Sequence, residues 1–299
     1  MYFYKVAGLI IKSEIEFVGL EVVANITNPD VTIAKGMVPE PSEEYTPMGI
    51  NSFYAPDKLI LHVYKLVSFF VEDGKKVSVI MHPNADNQDV KAFFIDMILP
   101  YLLYYRGFTI VRAAGIMVKE QLIILLGVSA SFKSTIAAGL ATLGYGVVGD
   151  DFIAINPYGG SLSIVPSLLP FQLMEDACTG LAVDFTNLAK VRNNLFRYEA
   201  PFTHAASSIL ENGVIYRLNS RNEATTKIEA LDGIVKLNSL INNTYCYPFL
   251  RVSNQEKQNL KICATMAKHL KFRDLHIGLN TPTLETAKQI IEDIESCVK

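Results

Sequence analysis

The 299-residue sequence has few charged residues and no excess of basic ones. Asp, Glu, Lys and Arg make up 19% of the chain, below the roughly 25% of a typical globular domain, and the formal net charge is −3. Disordered chains are rich in charge and poor in aromatic residues, whereas this chain has 16 Phe and 14 Tyr. Binding to a nucleic-acid backbone requires clustered cations. The composition therefore predicts a folded protein without a nucleic-acid partner.

The cysteines and histidines lack the spacing of metal-binding or redox motifs. None of the four cysteines lies in a CxxC pair, which argues against a zinc knuckle and a thioredoxin-like motif. None of the five histidines forms an HxxxH pair. Isolated thiols are typical of a reducing compartment. We therefore interpret these residues as structural.

No apolar run is long enough for a membrane span or a secretory signal. The longest, residues 92–105, contains Asp96 and Pro100 and falls short of the ~20 residues that a bilayer span needs. The apolar run between Lys5 and Lys12 is shorter than the ~7–15 residues of a signal-peptide core. We therefore expect a cytoplasmic protein without a membrane partner.

Hydrophobic patterning predicts a mixed α/β chain with two regions, 1–88 and 89–299. The first region is strand-rich because β-branched and aromatic segments alternate with polar, Pro or Gly breaks. Its predicted strands cover residues 6–11, 18–26, 59–63 and 77–81. The second region opens with a helix over 89–105, in which apolar residues recur at helical spacing and Pro100 predicts a kink.

The middle of the second region alternates strands with one helix. Strands are predicted at 108–118, 122–126 and 145–149, and a hairpin at 152–165 with its turn at 156–160. The intervening helix, 134–143, ends at Gly144, a frequent helix stop. A last helix is predicted from Thr283 to Val298.

Residues 122–151 carry the strongest functional signal and read LIILLGVSASFKSTIAAGLATLGYGVVGDD. A buried strand, a short loop and a helix follow one another, so backbone N–H groups and the positive end of the helix dipole converge on one point. That arrangement binds phosphate. Lys133 would reach the β- and γ-phosphates and the Ser134 hydroxyl would ligate Mg²⁺. The residues predicted to hold the nucleotide are Gly127, Ser129, Ala130, Ser131, Phe132, Lys133, Ser134 and Thr135.

The loop departs from the GxxxxGK[ST] pattern at the glycine that precedes the lysine. Phe132 replaces the glycine before the lysine, and Ala130 is a milder loss of the same kind. Glycine lets the backbone approach phosphate with positive φ, which a bulky residue adopts only at an energetic cost. The alternative interpretation is a buried strand, a turn and a helix in which the Lys-Ser pair is incidental. Asp150 and Asp151 follow directly after an apolar strand. They argue against this alternative, because carboxylates at the end of a buried strand require a cation or a functional role.

These segments resemble the HPr kinase/phosphorylase-related family, whose nucleotide core is shared with phosphoenolpyruvate carboxykinases. The resemblance rests on four stretches: Arg106–Gly107 before TIVRAAGIMV, the strand LIILLG, the run STIAAGLATLGYGVVGDDFIAI, and IVPSLLPFQL. It implies an HPr kinase-like P-loop core that uses ATP and Mg²⁺.

The resemblance also implies roles for individual residues. Asp150 would be the general base toward a hydroxyl, and Asp151 with Ser134 would hold the metal. Arg112 stands where the family often has a histidine, so it would neutralise phosphoryl charge as a fixed cation. The expected catalytic residues are therefore Asp150, Lys133 and Arg112, and the expected metal ligands are Ser134 and Asp151.

Two functions follow as hypotheses. The first is an ATP/Mg²⁺-dependent phosphotransferase whose acceptor is a serine of a peptide, such as a ribosomally made precursor, or a small hydroxylated metabolite. The second is a degenerate, non-catalytic module that binds a nucleotide or a phosphorylated ligand. A structural protein with an empty loop is a third, weaker idea. The expected partners are a nucleotide and the acceptor, and a homo-oligomer is compatible with the sequence.

The basic cluster Lys190, Arg192 and Arg197 is either a solvated face or a clamp on anionic substrate.

Overall fold

The computed structural model has a mixed α/β fold with several sheets. It describes all residues except 50, 159–161, 193–194, 206–209, 211–212, 221–224, 279–282 and 299. Within that described part of the chain, no helix is both long and apolar enough to cross a bilayer.

The strands and helices are numbered in chain order. The strands are β1 (Tyr2–Val6), β2 (Leu9–Ser13), β3 (Val31–Lys35), β4 (Thr46–Pro47), β5 (Ser52–Ala55), β6 (Lys58–Val63), β7 (Val67–Glu72), β8 (Lys76–Met81), β9 (Thr109–Val111), β10 (Ala113–Val118), β11 (Gln121–Leu126), β12 (Gly146–Gly149), β13 (Ile153–Asn156), β14 (Ser163–Val165), β15 (Phe171–Met174), β16 (Arg197–Ala200), β17 (Val214–Ser220), β18 (Lys227–Ala230) and β19 (Lys271–Ile277). The helices are α1 (Asn87–Phe93), α2 (Leu99–Tyr105), α3 (Lys133–Thr142), α4 (Glu175–Gly180), α5 (Ile234–Asn242), α6 (Tyr247–Val252), α7 (Glu256–His269) and α8 (Thr283–Val298).

The chain divides into two compact units. The first comprises Met1–Phe108, Val191–Leu195 and Cys246–Glu256, and the second comprises Thr109–Lys190, Phe196–Tyr245 and Lys257–Lys299. The helical stretch after residue 88 therefore clusters with the N-terminal strands, whereas the sequence places it with the nucleotide core. Hydrophobic periodicity identifies this stretch as a helix but carries no information on which sheet it covers.

The first unit contains an eight-stranded sheet in the order β1-β2-β3-β8-β7-β6-β5-β4. Its strands β6 and β8 confirm two predicted strands. The predicted strand over 6–11 is divided between the end of β1 and the start of β2, because Ala7 and Gly8 adopt φ of 46° and 78° and turn the chain between them. The predicted strand over 18–26 is wrong, since the bridge from Val22 to Tyr4 is isolated.

The predicted helix over 89–105 is observed with an interruption. A capping box formed by Asp86 and Asp89 starts α1, and a π-helical turn at Phe94–Ile98 separates α1 from α2. Pro100 lies in the first turn of α2. A proline ring clashes with the carbonyl four residues earlier in a regular helix, and a widened turn relieves that clash.

The second unit is built on a six-stranded sheet in the order β12-β10-β11-β17-β19-β18. The strands β11, β17 and β19 are parallel, and β10 is antiparallel to both β11 and β12. The strands β12, β11, β17 and β19 therefore run in the same direction, and their carboxyl ends share one edge. In open α/β sheets that edge is where ligands bind.

Both faces of this sheet are covered by helices. On one face, α3 and α8 contribute Leu140 and Ile290 to the core, and on the other, α5 and α7 contribute Leu240 and Ile262. The predicted strand at 122–126 and the predicted helices at 134–143 and 283–298 are confirmed as β11, α3 and α8. The predicted strand at 108–118 is divided between β9 and β10, which belong to different sheets and meet at Arg112. The hairpin at 152–165 is observed as β13 and β14, with part of its turn outside the described residues.

Candidate functional site

The loop between β11 and α3 lies at the carboxyl edge of the six-stranded sheet. A Cβ atom added at Gly127, the first loop residue, would lie 2.6 Å from the Ser131 hydroxyl oxygen and 3.2 Å from the Ser131 Cβ. A larger residue at this position would require the Ser131 side chain to move. The first glycine of the predicted motif therefore has a steric reason.

The two loop positions that lack the expected glycine still adopt a glycine-like backbone. Ala130 has φ of 62° and Phe132 has φ of 64°, both in the left-handed region. For a bulky residue this conformation is unusual and destabilising. The Phe132 side chain is 54% exposed, so the ring extends outward rather than filling the loop. Both positions therefore hold the left-handed backbone conformation that glycine favours, although neither is a glycine.

Lys133 is buried at the start of α3, with its ammonium turned into the loop. Its Nζ donates a hydrogen bond to the Val128 carbonyl over 2.7 Å and lies 3.4 Å from the Ser131 hydroxyl oxygen. Burial lowers the pKa of Lys133, while the charges of Asp151 and Asp150 act in the opposite direction. The buried Lys133 ammonium would thus be stabilised by a neighbouring negative charge.

Ser134 and Asp150 connect α3 to the end of β12. The Ser134 hydroxyl donates a hydrogen bond to the Asp150 Oδ1 over 2.8 Å. Asp150 is almost completely buried, and this burial raises the pKa of its carboxyl to about 6 despite hydrogen bonds from Ser134 and from the backbone of Asp151 and Gln172. A buried carboxylate of this kind would gain from a nearby cation.

Asp151 has a different environment from its neighbour. Its φ is 65°, and the Phe152 N–H donates to the Asp150 carbonyl over 2.8 Å, which closes a three-residue turn around it. This turn leaves the Asp151 side chain 47% exposed, and its Oδ1 lies 3.8 Å from Arg112 Nη1. Two consecutive carboxylates therefore differ in exposure, which the sequence does not predict.

Arg112 connects Asp151 to the loop. Its Nη1 donates to the Ser129 hydroxyl oxygen over 3.1 Å, and its guanidinium lies 4.7 Å from the centre of the Tyr245 ring. The Tyr245 hydroxyl donates to Asp151 Oδ2 over 3.0 Å. The sequence does not predict Tyr245 as a site residue, because it is 94 residues from Asp151 and lies in no recognisable motif.

A cavity of about 380 Å³ opens beside the loop. The residues of the loop and the start of α3 from Ala130 to Thr135 line one side, and Gln172, Met174, Asp176 and Arg197 line another. Arg197 donates to the Gln172 side chain over 3.2 Å. Of the basic cluster, Arg197 borders the cavity, whereas Arg192 pairs with Asp89 over 2.8 Å in the first unit.

The structure brings the predicted site residues together at one edge of the sheet. Ser134 and Asp150 supply the oxygen atoms that Mg²⁺ prefers, although the described residues contain no group of three or more His, Cys, Asp or Glu suited to a metal ion. Magnesium in phosphate sites is usually held by one or two protein groups together with phosphate oxygens. The residues present therefore fit a metal that arrives with its ligand.

The buried Asp150 predicts a characteristic dependence of stability on pH. Its pKa is raised in the folded state, so folding is favoured while the carboxyl is protonated and this contribution is lost as pH rises from about 4 through about 6. The shift corresponds to at most about 3 kcal/mol. Between pH 4 and 7, Asp150→Asn is expected to become progressively more stable than the wild type in denaturant-unfolding experiments. Asp151→Asn is the matched control; an equal trend in both variants would contradict the assignment to Asp150.

The left-handed Phe132 predicts that this position is strained. Phe132→Gly is expected to be about 1 kcal/mol more stable than Phe132→Ala, because alanine retains the Cβ atom that disfavours this conformation. Chemical denaturation of the two variants measures the difference. Equal stability, or a more stable alanine variant, would show that the loop does not hold this backbone conformation.

Comparisons with known proteins identify no family for this chain. No protein-family model matches the sequence, and no curated protein is similar to it at the sequence level. Among solved structures, the HPr(Ser) kinase/phosphatase from Coxiella burnetii aligns with 64% of this chain and 99% of its own, with 8% identity and a TM-score of 0.31. A likeness this weak carries no argument about function. The structure itself shows a mixed α/β fold with several sheets.

Proposed function

We propose that this protein is an ATP- and Mg²⁺-dependent phosphotransferase that phosphorylates a hydroxyl group. The observation that carries the proposal is the loop itself. It has left-handed residues at 130 and 132, a buried Lys133 at the start of α3, and Ser134 bonded to Asp150. A strand, a loop of this shape and a helix N-terminus form an anion site, and the lysine and serine suit a nucleotide with its metal.

The phosphates would bind to the backbone N–H groups of residues 129–134 and to Lys133. In the structure the Lys133 ammonium satisfies the Val128 carbonyl over 2.7 Å. Binding would require it to turn from this neutral acceptor to phosphate oxygens, which form stronger, charge-assisted hydrogen bonds. The buried position of Lys133 makes that exchange favourable, because the side chain is already removed from water.

Ser134 and Asp150 would hold Mg²⁺ on the side of the β- and γ-phosphates. When bound, the ion neutralises charge on the transferring phosphoryl group. The hydrogen bond from Ser134 to Asp150 supports the assignment of Asp150 to the metal, since it places the two oxygen atoms 2.8 Å apart. This exchanges the roles that the resemblance implies for the two aspartates. The half-exposed Asp151 is then the carboxylate left to receive the proton of the acceptor.

The acceptor belongs to one of two classes, a peptide serine or a small hydroxylated metabolite. The cavity beside the loop offers polar and cationic groups as well as the thioether of Met174. A mixed lining of this kind suits an organic ligand next to the phosphates. The competing hypothesis is a non-catalytic module that binds a nucleotide or a phosphorylated ligand, and the absence of phosphoryl transfer from bound ATP would favour it.

Nucleotide binding gives the first test of the proposal. In thermal-unfolding experiments, millimolar Mg²⁺-ATP is expected to raise the Tm of the wild-type chain by roughly 4 °C at a concentration 100 times the Kd. Lys133→Ala should abolish this increase, because it removes the cation from the loop. Lys119→Ala, which removes an exposed lysine paired with Glu295, should keep it. No increase with any nucleotide would overturn the proposal.

The assignment of Asp150 to the metal gives a second test. For the wild type, Mg²⁺ should enlarge the increase in Tm that ATP alone produces. Asp150→Asn is expected to lose this additional effect of Mg²⁺, whereas Asp151→Asn should retain it. The reverse pattern would restore the allocation implied by the resemblance, with Asp151 on the metal and Asp150 as base.

A further inference from the structure

Tyr245 contacts both charged side chains that flank the loop. Its ring lies under the Arg112 guanidinium at 4.7 Å, and its hydroxyl donates to the Asp151 carboxylate over 3.0 Å. A tyrosine can do both because its ring face attracts cations while its hydroxyl donates a hydrogen bond in the ring plane. Tyr245 is 96% buried, so both contacts are made from a fixed side chain.

The backbone fixes Tyr245 to the segment that carries Arg112. The Arg112 N–H donates to the Asn243 carbonyl over 2.6 Å, and the Tyr245 N–H donates to the Ile110 carbonyl over 2.9 Å. An isolated antiparallel bridge between Val111 and Thr244 lies between these two hydrogen bonds. The ring and the guanidinium are therefore held on paired backbones rather than on independent loops.

A second aromatic ring supports this arrangement. Phe152, directly after Asp151, packs against Tyr245 with the ring centres 5.5 Å apart. The turn around Asp151 thus carries the carboxylate, and the next residue, Phe152, supplies the ring that packs against Tyr245. Movement of the Tyr245 ring would disturb the carboxylate and the cation together.

Arg112 needs such a support because its side chain is long and flexible. Its side chain is about one-third exposed, and its guanidinium donates to Ser129, a residue of the loop. An arginine that is held in place before the ligand arrives loses less rotamer freedom on binding than one that is free in solvent. Preorganised cations of this kind act best on charge that is concentrated on one group of the ligand.

We propose that Tyr245 is a positioning residue that holds Arg112 at the loop, where the arginine acts on the terminal phosphoryl group of ATP. The inference rests on the proposed function, because it assumes that the loop binds a nucleotide. It adds that recognition of the terminal phosphate depends on a residue outside the loop motif. Arg112 would make the contact, and Tyr245 would act through it.

The test compares nucleotides with and without the terminal phosphate. The equilibrium Kd values of Mg²⁺-ADP and of the Mg²⁺ complex of the non-hydrolysable analogue AMP-PNP are measured for each variant. Arg112→Ala is expected to weaken AMP-PNP binding about tenfold, the order of one charge-assisted hydrogen bond, and to change ADP binding by less than about threefold. Tyr245→Leu should weaken AMP-PNP binding selectively by about three- to tenfold. Tyr245→Phe retains the ring and should restore most of that loss.

A double-mutant cycle shows whether Tyr245 acts through Arg112. The double variant Arg112→Ala, Tyr245→Leu is expected to bind AMP-PNP no more weakly than Arg112→Ala alone, because the arginine that the ring supports is absent. Tyr216→Phe is the matched control, since it also removes a Tyr–Asp hydrogen bond, of 2.7 Å to Asp293, but away from the loop. This control should bind both nucleotides as the wild type does.

The outcomes separate this inference from the proposed function. A wild-type chain that binds neither nucleotide overturns the proposed function. Binding of both nucleotides with additive losses in the double variant, or with equal losses for ADP and AMP-PNP in Tyr245→Leu, overturns the role of Tyr245. A change in Tm of Tyr245→Leu without a selective loss of AMP-PNP affinity would show that Tyr245 is only structural.

Discussion

The burial of two opposite charges beside one loop constrains the rest of the site. Lys133 and Asp150 are 6% and 4% exposed, and removing an ionised group from water costs several kcal/mol unless partners compensate it. The lysine uses the Val128 carbonyl, and the aspartate uses the Ser134 hydroxyl and backbone N–H groups. These hydrogen-bond partners are neutral, and the charges of Asp151 and Asp150 offset the effect of burial on Lys133 only in part. An anionic ligand that carries a divalent cation would compensate both, which is the physical basis of the proposed function.

The direction of the strands brings these groups to one place. Because β11 and β12 are both antiparallel to β10, the loop after β11 and the aspartates after β12 lie at the same edge of the sheet. Arg112 lies at the same edge because it directly precedes β10, which runs in the opposite direction to β11 and β12. The hydrogen bond from Ser134 to Asp150 and the contact of Arg112 with Asp151 then close the site around the loop.

Local patterns predicted the elements that depend on neighbouring residues, and failed where distant partners decide. The helix α8 was predictable because its apolar residues recur along one face, and β11 because it is an uninterrupted apolar run. The segment 18–26 has several β-branched residues but finds no continuous strand partner, so its composition alone was misleading. The break at Arg112 was equally invisible, because the apolar character continues from β9 to β10 while the chain passes from one sheet to another.

The sequence by itself determined the succession of a strand, a loop and a helix over residues 121–142, because hydrophobic patterning is a local property of the chain. It also identified Lys133, Ser134, Asp150, Asp151 and Arg112 as one candidate set. Only the tertiary structure decided how these residues share the site. It buried Asp150 and exposed Asp151, and it brought Tyr245, which is 94 residues from Asp151 in the chain, into contact with both Arg112 and Asp151. Burial and contacts between distant residues depend on how the strands align across the sheet, and no local pattern encodes that alignment.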